Sequence, residues 1–581
     1  MERDHPGPGP ALKAKAAAVV GVLWVLFVLL IVRLAQLQIA DAELYSRHAS
    51  RQQILRRELS ARRGRIYDRE GRLLAASVQR YSVFADPKGV EHPRLTALLL
   101  ADLFGLSADQ LEGKLHKDCF FVWVKRQITD EQAEQVRRLR LPGVHMRRES
   151  KRLYPQGRLA THVVGFTDID GRGLAGVERK MDTLIRGLSG METVLCDGGR
   201  RVFSSPQDRL TRKPFNGLDI RLTLDAYVQE IAEQELAEAV QTHRPERGAA
   251  IVLDARDCSV LAAASWPTFD PAAPAEAPVS HQRNIVVSDA YEFGSVMKPF
   301  GIAVALEEGV VAPDTEFDCH QGEWHIGARV LHDAHAYGTL TVSDILCHSS
   351  NIGAAQVSLL LGAEKLYAGI RAFGFGDPTG ISLPGEVRGI VRPLRAWNRY
   401  SVVSVAFGQE LAATPLAVAS AFAVFPNSGF LLQPRIIQSV QRPGTGEKVY
   451  ACTEPIIAGE PVSPQVAHQV MRMMRRVVVE GTGRRAQLEA YPVAGKTGTA
   501  QLLDPSGRGY SDVRYLASFV GIAPADRPRL VVLACLKAPS QNGYYGGVAA
   551  APAVRRIIDR TLRYMHVPPA PGTASAPGES T

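Results

Sequence analysis

The stretch VAGKTGTAQ, residues 493–501, has two interpretations that lead to different folds. Its residues GKT match the last three positions of the phosphate-binding loop motif. Its residues KTG match a motif of enzymes that attack amides with a serine. A phosphate loop needs a glycine five positions before Gly495, and that position holds Ala490. The segment GTAQLLDPSGRG that follows predicts a strand and a loop instead of the helix that a phosphate loop requires. The stretch therefore favours serine chemistry.

A serine site of this kind needs a nucleophile and a base, and GSVMKPF contains both as Ser295 and Lys298. Their spacing places both side chains on one face of a helix. The partial positive charge at a helix N-terminus favours a developing oxyanion, and burial beside another cation can lower the pKa of a lysine enough to make it a base. Pro299 is compatible with the first helical turn. Taken alone, the tetrad also fits a helix cap followed by an exposed lysine.

A third motif, CHSSNIG, contains Ser349 and Asn351 between the other two. Ser349 can relay a proton to a leaving group, and the Asn351 amide can hold a peptide group. Such triplets are common in turns, so the order carries more information than the triplet. The S-x-N serine follows Ser295 by 54 positions and precedes Lys496 by 147. This order, S-x-x-K, S-x-N, K-T-G, is that of penicillin-binding proteins and class A β-lactamases.

The last motif is predicted to form the substrate-binding wall of the site. Lys496 is the second cation, which binds a substrate carboxylate and helps to keep the first lysine neutral. Thr497, Gly498 and Thr499 belong to the strand with which the peptide pairs, and the backbone N–H groups of Ser295 and Thr499 are predicted to form the oxyanion hole.

Near the N-terminus, residues 16–32 read AAAVVGVLWVLFVLLIV, which is seventeen apolar residues without a charge. A bilayer needs about 20 such residues, whereas the apolar part of a signal peptide has about 7–15. The segment therefore predicts an uncleaved single-pass anchor. Lysines precede it and arginines follow it, so the charge rule leaves the orientation open.

Composition is consistent with a folded chain of two or three domains, with 581 residues, 46% of them hydrophobic and 22% charged. The net charge of +9 suits nucleic acid, anionic lipid or an acidic polymer, but also an ordinary solvated surface. The seven cysteines are scattered without a CxxC pair, which argues against a disulfide framework or a zinc ribbon.

The cluster CHQGEWHIGARVLHDAH fits no standard zinc spacing and is interpreted as a loop near the active site. Its polar members are Cys319, His320, His325, His332, Asp333 and His335.

The periodicities predict an α+β fold. A mixed region of short strands and polar helices such as DEQAEQVRRL covers residues 82–222. After it come a strand and a helix (DIRLTLD, AYVQEIAEQELAEAVQ), a strand pair (GAAIVLDA, VLAAASW), a helix at 295–308, and two strands around the turn PADRP (YLASFVGIA, RLVVLACLKA). These elements predict an antiparallel sheet covered by helices. The closing PPAPGTASAPGEST predicts a disordered tail.

Several further stretches, together with the three motifs, resemble the class B penicillin-binding proteins, which are membrane-anchored peptidoglycan D,D-transpeptidases. They are RRGRIYDREGRLLA, YPQGRLATHVVGFTDIDGRGLAGVE, NIVVSDAYEFGSVMKPF, SVAFGQELAATPLAVASAFAVFPNSG, ASFVGIAPADRPRLVV and YYGGVAAAPAV. The forms GFTDIDG, FVGIAPAD and YYGG are more similar to the septal, cell-division branch than to the elongation branch.

The resemblance implies a cytoplasmic tail (1–15), an anchor (16–38), a pedestal of the dimerisation-domain type (43–224), a transpeptidase domain (225–565) and a disordered tail (566–581). It implies catalysis outside the cytoplasmic (inner) membrane, with peptidoglycan stem peptides and β-lactams as ligands, other cell-division proteins as partners, and no nucleic acid. The catalytic residues would be Ser295, Lys298 and Ser349. No metal or organic cofactor is expected.

The sequence departs from the family pattern in two places. Phe293 stands where the family usually has proline, and Cys258 with Ser259 replaces a glycine-rich hairpin turn. Four alternatives remain: an elongation-type transpeptidase, a β-lactamase-like hydrolase, a D,D-carboxypeptidase, and a catalytically silent scaffold. A bifunctional synthase is excluded because no ED-x-x-F-type motif lies between the anchor and Asp225.

Overall fold

The structure is a computed structural model that describes residues 9–45, 54–195, 210–504 and 509–570. The chain divides into two compact units, residues 1–61 with 188–216, and residues 62–187 with 217–581. The predicted cytoplasmic and C-terminal tails lie partly outside the described residues, which omit 1–8 and 571–581.

The strands are numbered along the chain. They are β1 (Ile54–Leu59), β2 (Ile66–Tyr67), β3 (Leu73–Ala85), β4 (Val122–Ile128), β5 (Val144–Leu153), β6 (Gly190–Leu195), β7 (Leu210–Arg212), β8 (Asp219–Leu222), β9 (Arg247–Asp254), β10 (Val260–Trp266), β11 (Glu316–Asp318), β12 (Glu323–Ile326), β13 (Arg329–His332), β14 (Thr339–Thr341), β15 (Ile390–Val391), β16 (Leu411–Ala412), β17 (Leu431–Leu432), β18 (Ile437–Gln441), β19 (Lys448–Ala451), β20 (Ile457–Gly459), β21 (Ala494–Leu503), β22 (Tyr510–Ala523) and β23 (Leu530–Lys537).

The α-helices are numbered in the same way. They are α1 (Pro10–Ala35), α2 (Pro93–Phe104), α3 (Ala108–Leu115), α4 (Asp130–Leu139), α5 (Thr161–Val164), α6 (Gly176–Lys180), α7 (Asp182–Ile185), α8 (Ala226–His243), α9 (Ile285–Ser288), α10 (Lys298–Glu307), α11 (Val342–His348), α12 (Asn351–Leu361), α13 (Ala363–Ala372), α14 (Ser401–Ala406), α15 (Pro415–Phe422), α16 (Pro464–Val479), α17 (Gly546–Ala549) and α18 (Ala551–Tyr564).

The first unit contains α1 and a small antiparallel sheet in which β6 pairs with both β1 and β7. Helix α1 starts with proline at its first position, where a missing N–H has no cost, and ends in a π-helical turn at Gln36–Ala40. Among the described residues, Pro10–Ala40 is the one helix long and apolar enough to cross a bilayer. It includes the predicted segment 16–32 and fits a single-pass membrane anchor.

In the second unit, residues 62–187 form a lobe around the long strand β3, which pairs with β4 and β5. Helices α2, α3 and α4 supply apolar side chains to its core, among them Leu100, Leu115 and Val136. Helix α4 is the predicted DEQAEQVRRL helix, and Thr129 closes a capping box at its start. The predicted alternation of strands and polar helices is therefore confirmed here.

A buried ion-pair network ties this lobe together. The Glu178 carboxylate accepts hydrogen bonds at 2.6 Å from both Arg63 and Arg152. Glu178 is fully buried, and the two arginine side chains are nearly so. The network joins RRGRIYD to the end of GLAGVE, two segments that are more than a hundred residues apart in the sequence.

A seven-stranded sheet connects this lobe to the residues that follow. Its strand order is β19-β18-β8-β2-β3-β4, with β5 also on β3. Strand β8 lies between β2 and β18, parallel to β2 and antiparallel to β18. The sheet therefore runs across the predicted boundary between residues 224 and 225. Periodicity does not reveal this pairing because β8 and β18 lie far apart in the sequence.

The central sheet has five antiparallel strands in the order β10-β9-β23-β22-β21. Alternate residues face two different cores: Val252 packs with α8 and α18, whereas Ile251 faces the core that contains α10, α15 and α16. Both faces are buried, which explains the nearly continuous apolar runs in β9 and β23. The predicted sheet covered by helices, and with it the α+β class, is confirmed.

One local prediction requires adjustment, and one departure from the family pattern is accommodated by the fold. The helix expected at 295–308 begins at Lys298, because Gly294–Met297 forms a 3₁₀ turn ahead of it. The β9–β10 turn keeps its hairpin geometry although Cys258 replaces glycine, since Cys258 takes a left-handed φ of 56° and is buried. A non-glycine residue is strained in that region, so the buried packing must offset the cost.

Candidate active site

Ser295 lies in the 3₁₀ turn Gly294–Met297, directly before α10, and it lines a cavity of about 820 Å³. Gly294 holds a left-handed φ of 57°, and a Cβ atom there would lie 3.0 Å from the Thr499 carbonyl oxygen. Glycine therefore lets the nucleophile turn approach β21 closely. Lys298 begins α10 and is almost fully buried beneath the cavity.

The ammonium group of Lys298 points to the S-x-N motif. Its Nζ donates to the Ser349 carbonyl oxygen at 2.5 Å, to the Asn351 Oδ1 at 2.8 Å and to the Ser349 Oγ at 3.3 Å. Ser349 ends α11 with a left-handed φ of 63°, and Asn351 begins α12, so the motif is the junction of two helices. Within the described part of the chain, no hydrogen bond joins Lys298 to the Ser295 hydroxyl.

Asp333 holds this junction in place from the other side. Its Oδ2 accepts a hydrogen bond from Ser350 Oγ at 2.5 Å, and its Oδ1 accepts from the backbone N–H groups of Asn351 and Ile352. Carboxylates are favourable at a helix N-terminus, where N–H groups lack partners. The Asn351 side-chain amide donates to the His332 carbonyl at 2.9 Å. The polar cluster 319–335 thus positions the S-x-N motif. Among the described residues, no three of its ligand-type side chains gather as a metal site.

The K-T-G motif lies on β21, as predicted, and approaches the same serine. Lys496 Nζ donates to Ser349 Oγ at 2.9 Å and is fully buried. The Ser349 hydroxyl therefore lies between the two lysines. Thr497 Oγ1 is 2.7 Å from Thr482 Oγ1, and Thr499 Oγ1 accepts from the Gly546 N–H at 3.0 Å.

Gly498 packs against the nucleophile turn instead of lining the cavity, whose described walls include Thr497 and Thr499 on either side of it. A Cβ atom at Gly498 would lie 2.5 Å from the Phe293 carbonyl oxygen. A larger residue would push β21 away from Ser295. Gly498 thus helps to set the position of the strand, and its substrate-binding role stays a prediction.

Burial dominates the electrostatics of the two lysines. It lowers the pKa of Lys298 to about 7, while the negative charge of Asp333 acts in the opposite direction. Burial and the charge of Lys298 lower the pKa of Lys496 well below its usual value. Two ammonium groups around one hydroxyl repel each other, so near neutral pH one amine is readily neutral. The site can hold and move one proton between two amines and Ser349.

Comparison with known proteins agrees with this arrangement. A family model described as the penicillin binding protein transpeptidase domain matches residues 248–559, and one for the penicillin-binding protein dimerisation domain matches residues 58–222. The chain belongs to the penicillin-binding protein transpeptidases. It is 34% identical over 557 residues to "Probable peptidoglycan D,D-transpeptidase PenA" of Neisseria gonorrhoeae, covering 95% of this chain and 93% of the relative.

Two other relatives support the class B assignment of this transpeptidase. "Peptidoglycan D,D-transpeptidase FtsI" of Escherichia coli K12 is 30% identical over 561 residues, covering 95% of this chain and 92% of the relative. A crystal structure of penicillin-binding protein 3 from Mycobacterium tuberculosis with aztreonam is similar with a TM-score of 0.69 and 28% identity, covering 89% of this chain and 99% of that one.

Sequence reasoning did not identify three residues that shape the transpeptidase site. Thr482 supports Thr497, Asp333 holds the S-x-N junction, and Gly546 donates to Thr499. Asp333 was visible as a member of the polar cluster 319–335, but nothing in that segment indicated its partner. Thr482 and Gly546 lie in short glycine-containing stretches whose contacts depend on the fold.

Proposed function

We propose that this class B penicillin-binding protein crosslinks peptidoglycan as a serine D,D-transpeptidase with Ser295 as its nucleophile. The observation that carries the proposal is the Ser349 hydroxyl, held between Lys298 and Lys496 beside the cavity that Ser295 lines. An uncharged lysine near the site can accept the proton of a serine hydroxyl, which is what nucleophilic attack by Ser295 requires.

In the proposed acylation, neutral Lys298 accepts the proton of Ser295 as its oxygen attacks the carbonyl of the penultimate D-Ala of a stem peptide. The backbone N–H groups of Ser295 and Thr499 stabilise the oxyanion, and Lys496 holds the terminal carboxylate. When the C–N bond breaks, Ser349 passes its proton to the departing D-Ala and regains one from Lys298, which becomes neutral again. An amine of a neighbouring stem peptide then attacks the ester carbonyl and gives up a proton to Lys298. The amide crosslink forms as the ester bond breaks, and Lys298 returns the proton to the Ser295 oxygen.

Labelling with a fluorescent penicillin tests this assignment, because a β-lactam resembles the D-Ala-D-Ala end and acylates the same serine. We expect Ser295→Ala to abolish labelling, whereas Ser288→Ala, a matched change outside the cavity, retains it. Labelling of Ser295→Ala at the parent rate would refute the nucleophile. Rapid release of the label from the parent protein would instead indicate a β-lactamase-like hydrolase.

We also propose a septal role. The similarity to FtsI and to PenA supports it, and the forms GFTDIDG and FVGIAPAD favour the same branch. Depletion in the cells that produce the protein should block division and give filaments. Round, swollen cells would instead indicate an elongation role.

The proposed topology places the N-terminal tail in the cytoplasm and the catalytic domain outside the membrane, with Pro10–Ala40 as the anchor. We retain the domain boundaries 16–38, 43–224 and 225–565, which the two matched ranges 58–222 and 248–559 support. Other cell-division proteins are the proposed partners of the anchor and pedestal. A reporter fused to either terminus tests the topology, since only an N-terminal fusion should be active in the cytoplasm.

A further inference from the structure

A cavity of about 290 Å³, separate from the catalytic one, lies on the seven-stranded sheet. One of its walls is a single face of the neighbouring strands β8, β18 and β19. Their register places Arg221 of β8 opposite Ser439 of β18, and Gln441 of β18 opposite Lys448 of β19. Val440, which lies between the two β18 residues, is buried in the main core on the other face. The alternation along each strand thus gives this sheet a polar face that the core does not use.

Two other segments complete the walls of this cavity. The first is the β9–β10 turn, which is held against the residues before β18: the Arg435 N–H donates to the Cys258 carbonyl at 3.1 Å, and the Val260 N–H donates to the Arg435 carbonyl at 2.8 Å. The second is the RRGRIYDRE segment, which contributes Arg69. The cavity therefore lies where the lobe of residues 62–187 meets the transpeptidase domain.

Cations outnumber carboxylates around the cavity. The charged residues that line it are Arg69, Arg221, Arg256, Arg435, Lys448, Asp254 and Asp257. Arg256 forms an ion pair with Asp254 at 2.7 Å, and Arg435 forms one with Asp257. These two pairs use both carboxylates.

Three of the lining cations remain uncompensated. Arg69 has only a contact of 3.6 Å with its exposed neighbour Glu70. Within the part of the chain that the structure describes, no carboxylate forms an ion pair with Arg221 or Lys448. Arg69 and Arg221 are half-buried and Lys448 is exposed, so all three side chains can be reached from solvent. Like charges around a small cavity repel one another, and an anion that enters the cavity relieves this repulsion.

The charge and the size of the cavity indicate the class of anion. A phosphoryl group carries up to about two negative charges on three strong acceptor oxygens, so it can contact several cations at once. A carboxylate carries one charge on two oxygens. Guanidinium groups bind phosphate oxygens through two parallel N–H···O bonds. Pockets for small molecules have about 300–1,000 Å³, so a cavity of about 290 Å³ favours a compact ligand.

We propose that this cavity binds a phosphate or pyrophosphate group through Arg69, Arg221 and Lys448. A soluble phosphate compound and the headgroup of a phosphate-bearing lipid share this chemistry. Since Arg69 and Arg221 precede the predicted boundary at residue 225 and Lys448 follows it, the bound anion joins the pedestal to the transpeptidase domain. The site does not depend on the proposed serine mechanism.

Titration calorimetry with inorganic pyrophosphate tests the proposal. The full-length protein is held in nanodiscs of phosphatidylcholine, without divalent cations. We expect one site per chain. Arg221→Gln and Lys448→Gln should each weaken binding at least about tenfold, because each removes one charge-assisted contact. Lys125→Gln removes an exposed cation on β4 outside the cavity and should keep the parent affinity.

Two further measurements identify the ligand class and its source. Citrate carries its charges on carboxylates and should bind at least about tenfold more weakly than pyrophosphate. Native mass spectrometry of the protein from nanodiscs that contain phosphatidic acid then separates the sources. A lipid adduct that Arg221→Gln loses identifies a headgroup site, whereas pyrophosphate binding without an adduct identifies a site for soluble phosphate compounds.

Labelling with fluorescent penicillin shows which variants are folded. If Arg221→Gln does not label, the exposed Lys448→Gln decides alone, in both the calorimetry and the mass spectrometry. An unchanged affinity in either folded variant, or equal affinities for citrate and pyrophosphate, would overturn the phosphate site. The absence of both pyrophosphate binding and a lipid adduct in the parent protein would overturn it as well.

Discussion

Two clusters of buried charge in this molecule are built in opposite ways. In the lobe of residues 62–187, Glu178 lies between Arg63 and Arg152, so opposite charges meet. In the transpeptidase domain, Lys298 and Lys496 share the Ser349 hydroxyl, so like charges meet. The first arrangement holds distant segments together. The second makes an amine easy to deprotonate, which is what a base requires.

Removing the base from the lysine pair should have the largest effect. Lys298→Met keeps most of the length of the side chain but cannot accept a proton, so we expect penicillin acylation to fall by about 10²–10⁴-fold. The rate is measured by labelling kinetics, with a thermal melt to verify folding. Lys365→Met, an exposed lysine on α13, is the control. A near-normal rate for Lys298→Met would exclude it as the base.

Breaking the buried ion-pair network of Glu178 should destabilise the protein without slowing acylation of the molecules that remain folded. Glu178→Gln leaves the buried Arg152 without a carboxylate and leaves Arg63 with Asp182 alone, which costs about 3–5 kcal/mol. We expect a lower urea midpoint but normal labelling of the protein that remains folded. Glu134→Gln, which removes an exposed pair with Arg137, should change stability by about 0.5 kcal/mol or less. An equal loss of stability in Glu178→Gln and Glu134→Gln would contradict the stabilising role of the Glu178 network.

The pH profile tests the shifted lysine directly. The acylation rate should rise with pH, with a midpoint near the lowered pKa of Lys298 of about 7, because the base must be neutral. The unfolded chain binds the proton up to a pH of about 10.4, so burial of Lys298 costs most stability below its folded pKa and progressively less as pH rises above it. A rate that does not change between about pH 6 and 8 would contradict the assignment.

Asp333→Asn tests whether the charge of Asp333 sets the pH at which acylation reaches half of its maximum rate. Since the charge of Asp333 raises the pKa of Lys298, its removal should move the midpoint to lower pH. The weaker hold on the S-x-N junction should also reduce the rate at high pH. A lower rate with an unmoved midpoint would show that Asp333 acts only through structure.

The smallest effect on the acylation rate is expected from Thr482, whose hydroxyl forms a hydrogen bond to Thr497 on the K-T-G strand. Thr482→Val retains the shape of the side chain and removes its hydrogen bond to Thr497. The loss of one such bond costs about 1 kcal/mol, or roughly fivefold in the acylation rate. Thr445→Val, in an exposed turn, is the control. A loss above a hundredfold would mean that Thr482 itself contacts the substrate.

The sequence by itself determined the apolar N-terminal helix, the α+β class and the three motifs. Each of these depends on local information: seventeen uncharged apolar residues, strand and helix periodicity, and residue types at short spacing. The predicted strands at GAAIVLDA, VLAAASW and RLVVLACLKA are present because both faces of the sheet are buried, which leaves a continuous apolar run.

Only the tertiary structure decided how the motifs cooperate. Ser349 lies between two lysines because α11 and α12 meet at its left-handed residue, and β21 reaches it because Gly498 packs on the nucleophile turn. The contact of Asp333 with the S-x-N junction and the meeting of Arg221 and Lys448 at one cavity likewise depend on pairings between distant segments. Residue type and spacing carry no record of such pairings, since they form when separate elements bury their surfaces against one another.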